Sequence, residues 1–140
     1  MLSFQASAIL CAAGLASAVA AQAPSVGSTI ANPAVLGRMF ANVCISATGG
    51  ASVERAVRGV GMIGNPETGT FFHQLFDMSV NASNGGCSMV FVTDQPDEEA
   101  MSTFRASVVQ TMGREVPAMA MNVTETNGER YVRARIEVSW

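Results

Sequence analysis

From Asn32 onward, apolar residues recur at helical spacing: Val35, Leu36, Met39, Phe40, Val43 and Cys44 fall on one continuous face. Asn32 stands where an N-cap belongs, and Pro33 occupies the first helical position, where its missing N–H leaves no bond unmade. The pattern predicts a helix that ends at Ala47-Thr48-Gly49-Gly50 and buries Cys44. A second, shorter helix is expected over Ala51 to Arg58, with Val53, Ala56 and Val57 turned inward. Gly59, Gly61 and Gly64 stop it, a short strand fits Val60 to Ile63, and Asn65-Pro66-Glu67-Thr68-Gly69 reads as a turn.

The period then changes to two. Over Thr70 to Asn81, Phe72, Gln74, Phe76, Met78 and Val80 alternate with Phe71, His73, Leu75, Asp77 and Ser79, which predicts one long strand with an apolar face and a mixed face. Asn84-Gly85-Gly86 reads as a hairpin connection to a central strand, Cys87 to Thr93, apolar on both faces. Asp94 to Met112 predicts a helix with Asp94 or Gln95 as cap, Pro96 in its first turn and Asp97, Glu98 and Glu99 at the positive end of its dipole. Its expected buried stripe is Met101, Phe104, Val108 and Met112, and Gly113 closes it. Two further strands meet at Asn127-Gly128, the strongest hairpin signal in the chain. In the last one Val132, Ala134, Ile136, Val138 and Trp140 share one face, and Tyr131, Arg133, Arg135 and Glu137 share the other. The expected architecture is α+β: an antiparallel sheet of about five strands with two to three helices packed on one face.

The first residues carry no such periodicity. Met1 to Ala21 is an alanine-rich apolar run without charged side chains, ending in the small-residue frames Ala18-Val19-Ala20 and Val19-Ala20-Ala21. Its apolar stretch, Ala6 to Ala21, is shorter and less apolar than the roughly 20 strongly apolar residues a bilayer span requires, and the segment reads as a cleavable secretory signal peptide, although the usual basic n-region is missing. Leu10 before Cys11 argues against a lipoprotein signal, which needs a small residue there. The expected organisation is a signal peptide over 1–21, a flexible lead-in over 22–31 and a single domain over 32–140, secreted or periplasmic and soluble after processing.

Removal of Cys11 leaves Cys44 and Cys87. In an exported chain the pair is expected to form a disulfide rather than to remain as two thiols. Charge is sparse: eleven acids against eight bases, a net charge of −3, which argues against general nucleic-acid binding. All eight bases are arginine.

Candidate chemistry is thin. His73 is the only histidine, and Asp77 lies four residues along the expected strand, roughly 13 Å away and beyond hydrogen-bond reach. A Cys–His nucleophilic pair needs a free thiolate, which a disulfide would remove. No G-x-S-x-G elbow occurs; Gly59-x-Gly61-x-x-Gly64 has dinucleotide-loop spacing but follows a helix and leads into a strand, the reverse of the required context. Eight methionines follow Met1, including Met119-x-Met121. Thioethers suit Cu(I), but their periodic positions are those of core fillers. Asn81-Ala82-Ser83 and Asn122-Val123-Thr124 match the N-glycosylation acceptor and matter only in a eukaryotic secretory pathway.

What remains is the mixed sheet face. The expectation is an exported, non-enzymatic binding or accessory module that takes an unidentified protein or small anionic ligand through Phe71, His73, Leu75, Tyr131, Arg133 and Arg135, with no cofactor, metal, nucleic-acid or membrane partner. The alternatives are a small hydrolase using Cys44 or Cys87 with His73, and a periplasmic Cu(I)-binding protein using its methionines.

Overall fold

A computed structural model describes residues 27–83 and 85–138. The expected signal peptide, most of the lead-in and Trp140 lie outside the described residues. The chain is α+β: one antiparallel sheet of six strands, with three helices among the described residues.

Helix α1 (Pro33–Phe40) starts as the sequence predicts, with the Asn32 side chain accepting from the Ala34 N–H at 2.8 Å and proline at the first position. It runs on into a π-helical turn, Ala41–Ile45, in which Ala41, Val43, Cys44 and Ile45 are all buried. Helix α2 (Val53–Gly59) is capped by Ser52, whose hydroxyl accepts from the Arg55 N–H. Helix α3 (Asp97–Met112) begins later than expected: Pro96 takes the cap position, neither Asp94 nor Gln95 caps it, and Thr93 Oγ1 instead accepts from the Gln95 N–H. Gly113, at φ 70°, ends it in the left-handed conformation that glycine adopts without penalty.

The strands are β1 (Met62–Asn65), β2 (Thr70–His73), β3 (Met78–Ser83), β4 (Gly86–Thr93), β5 (Ala120–Thr126) and β6 (Glu129–Glu137). They lie side by side in the order β1-β2-β3-β4-β6-β5, so α3 carries the chain across the sheet and β6 returns beside β4. Asn127 and Gly128 both have positive φ, 54° and 81°, as a two-residue hairpin turn requires.

The sequence predicts about five strands, and the sixth comes from a break in the expected long strand. Gln74 to Asp77 form a bend, and β2 and β3 fold back on each other with Thr70 opposite Asn81 and Phe71 opposite Val80. The pairing places odd-numbered residues of β2 on the same face as even-numbered residues of β3. Phe71 and His73 therefore join Met78 and Val80 on the buried face, while Phe72 turns to the opposite one.

Two features hold this bend. His73 Nδ1 accepts from the Leu75 and Phe76 N–H groups, both at 3.0 Å, with its ring stacked on Phe76 at 4.5 Å. From the other side, Gly27 and Thr29 donate to the carbonyls of His73 and Leu75, and the Thr29 carbonyl accepts from Asp77.

The core lies between the helices and one face of the sheet. Phe104 of α3 packs against Phe40 of α1 and Phe91 of β4, with ring centroids 5.5 and 5.3 Å apart. Val53 of α2 shares a small cavity wall with Phe71. All three helices thus stand on the same side, that of Cys87, Met89 and Phe91. The Cys44–Cys87 disulfide crosses this layer, joining the π-helical turn to the start of β4 across a sequence separation of 43, with both residues fully buried. Val92, on the opposite parity of β4, is buried yet stands apart from the core cluster.

Helices α1 and α3 meet at Gly37. A Cβ there would sit 2.6 Å from the Phe104 carbonyl oxygen and 2.8 Å from Ser107 Cβ. The closeness also brings the Ser107 hydroxyl to the Ala34 carbonyl, to which it donates.

Two outcomes follow from this packing. At an exposed helix position Gly→Ala stabilises by about 0.5–1 kcal/mol. At Gly37 the sign is expected to reverse, because the new methyl meets backbone, with a loss of about 1–3 kcal/mol in chemical denaturation. The oxidised protein is expected to weigh two hydrogens less than its reduced form, and reduction should lower stability by about 4 kcal/mol in the loop-closure estimate, read as a drop in denaturation midpoint.

Candidate functional site

The sheet face opposite the helices is built by alternation. In β4 the residues that leave the core are Ser88, Val90 and Val92, and pairing aligns them with neighbours in rows across the sheet. One row runs Ile63, Phe72, Ser79, Val90, Arg133, Asn122. The next runs Asn65, Thr70, Asn81, Ser88, Arg135, Ala120. A third places Val92 beside Tyr131 and Thr124, with the Val92 N–H donating to the Asp77 carbonyl. No helix among the described residues covers these rows.

The face mixes apolar and polar positions, with Ser79 between Phe72 and Val90. Ile63, Phe72, Val90 and Tyr131 are half-buried, and Arg133 is exposed. Arg133 makes no ion pair or hydrogen bond among the described residues. Arg135 donates through Nε to Glu137 Oε1 at 3.1 Å, and the Tyr131 hydroxyl donates to Glu129 Oε2 at 2.9 Å. Asn81 is engaged within its row, donating to Thr70 Oγ1 at 2.9 Å and accepting from Ser83 Oγ at 2.8 Å.

The six residues that the sequence singles out for binding do not all meet on this face. Tyr131, Arg133 and Arg135 stand on it together. Phe71 and His73 face the helices, for the reason given by the β2–β3 break. Leu75 projects from the bend, 56% exposed. Sequence alternation instead misses Phe72 and Val90, which share a row with Arg133. A strand continuing unbroken from Thr70 to Asn81 would have put Phe72 on the core side with Met78 and Val80.

Phe71 has a different setting. With Val53 and Ala82 it forms the apolar wall of an open cavity of about 320 Å³ between α2 and the β2–β3 hairpin, with Glu54 at its rim. Glu54 is already paired with Arg58 one helical turn on.

The geometry leaves the cysteine–histidine pair without a nucleophile, since the two sulfurs are bonded to each other. His73 is buried and both its nitrogens hold backbone groups. With Nδ1 accepting two N–H bonds, the ring proton sits on Nε2, which donates to the Val60 carbonyl at 3.1 Å. Its role is to hold the bend. The methionines after Met1 are either buried in the core or packed half-buried against it. Among the described residues no group of three or more His, Cys, Asp and Glu side chains is placed to hold a metal ion.

At one corner of the face Asp77 is half-buried. Burial, and to a lesser degree the nearby Glu129 carboxylate, push its carboxyl above the ordinary range. The hydrogen bond to Glu129 is the main cause that raises the Tyr131 phenol.

A raised carboxyl in the folded state binds protons more readily there than in the unfolded chain. Its contribution therefore opposes folding increasingly as pH rises from the unfolded carboxyl value through the raised one. Asp77→Asn removes that opposition. The variant is expected to melt at a higher temperature than the parent at about pH 7 and to converge with it near about pH 3, where the carboxyl is protonated in both states. Melting curves across that range check the sign.

No protein-family model matches the chain, and neither a curated protein nor a solved structure shows significant similarity to it.

Proposed function

We propose that this chain is an exported, non-enzymatic binding module that docks a partner protein on the helix-free face of its sheet. One observation carries the reading: Phe72 and Val90, on either side of Ser79, lie in one cross-strand row with Arg133, a cation that nothing among the described residues neutralises. Apolar area supplies attraction in such a patch, and a free arginine beside it selects partners bearing carboxylates. Export is supported by the apolar N-terminal run and by the disulfide, a bond that persists in oxidising compartments.

The variants Arg133→Glu and Phe72→Ser test the face, with Arg105→Glu on the exposed side of α3 as the control. Immobilised parent protein is incubated with the exported proteins of its own host. Retention of a discrete partner is expected to fall about tenfold in each face variant, the size typical of a central interface residue, and to be unchanged in the control. Equal retention by all four proteins overturns the reading.

A further inference from the structure

Glycine weakens a strand interior unless something must come close to its backbone. Gly86, buried at the start of β4, has such a close approach on the open face. A Cβ built there would fall within the guanidinium of Arg135, 2.7 Å from Nη1 and nearer still to Cζ and Nη2. The side chain of Arg135 therefore reaches past its own cross-strand partner, Ser88, and sets its guanidinium over the bare backbone of Gly86. Glu137, directly opposite Gly86, accepts from Nε and fixes the plane. Nη1 and Nη2 make no hydrogen bond among the described residues. Ser83, which also pairs with Gly86, directs its hydroxyl to Asn81 and not to the arginine.

The result is a planar fork tethered through Nε before any ligand arrives, with its two terminal nitrogens unspent among the described residues. A fork so held loses less side-chain freedom on binding than a free arginine would, and its geometry matches a two-oxygen acceptor. Charge narrows the choice. Arg133 and Arg135 with Glu137 leave one net positive charge at this end of the face, which suits a singly charged group. A phosphate dianion would lie against the Glu137 carboxylate.

We infer that Gly86, Arg135 and Glu137 form a preorganised receptor for a carboxylate, and that on the docking face proposed above, a reading this inference rests on, it takes an Asp, Glu or C-terminal carboxylate of the partner protein.

The test is titration of the ¹⁵N-labelled protein with acetate and with inorganic phosphate, following the backbone amide at position 86 in every protein and the Arg135 Nε–H resonance where the arginine is present. Gly86→Ala keeps every charge and evicts only the flexible end of one side chain. Arg135→Lys keeps the charge without the fork and serves if Gly86→Ala melts differently from the parent. Acetate is expected to give a saturable shift in the parent, about tenfold weaker binding in either variant, and tighter binding than phosphate. Equal acetate binding by parent and variants reduces the effect to general charge attraction and overturns the inference, as does preference for phosphate. If acetate behaves as expected while Arg133→Glu and Phe72→Ser leave partner retention intact, the carboxylate receptor stands and the partner reading falls. If those variants lose the partner while acetate fails, the receptor alone falls.

Discussion

The organisation of this protein depends on the helices being tied to one side of the sheet. Two contacts do this. The aromatic series Phe40, Phe104 and Phe91 joins α1, α3 and the central strand, and the Cys44–Cys87 bond fixes the π-helical turn onto the same strand. Burying large aromatic surfaces supplies much of the attraction, and the crosslink limits how far the unfolded chain can expand. With every helix committed to one side, the other side of a six-stranded sheet is left without a roof among the described residues. The candidate site is a by-product of that asymmetry.

Much of this was legible in the sequence where a local signal coincided with the global fold. Asn32-Pro33 starts α1 and Asn127-Gly128 makes the β5–β6 turn because each satisfies a backbone requirement within a few residues. The cysteine pair was legible because export and an apolar helix face both pointed to the same bond. Alternation in β6 was also sufficient to put Tyr131, Arg133 and Arg135 on the side away from the core.

The failures have a common cause. Gln74 to Asp77 alternate like strand residues and contain neither glycine nor proline, yet the chain bends there. The bend is held by the His73 ring and by Gly27 and Thr29, residues more than 40 positions earlier. No local pattern records such a contact, and one unseen bend was enough to exchange the faces of Phe71 and Phe72. The stripe on α3 holds at Phe104 and Val108 and shifts at its flanks for a similar reason. Ala100, Phe104, Ser107 and Val108 are buried, while Met101 and Met112 are half-buried. The helix is rolled so that its small residue Ser107 meets Gly37, a fit that hydrophobicity alone does not reveal.

The contact at Gly37 reaches beyond the two helices that make it. Because its nearest neighbour is a carbonyl oxygen of α3, the separation of the helix axes is set by main chain, which cannot be trimmed by changing a side chain. Position 37 is thereby held to glycine: a sequence diverging from this one cannot enlarge it without moving α3, and with α3 the phenyl ring of Phe104 that spans the layer. In lineages that keep this architecture, the glycine at position 37 should outlast any exchange at position 107.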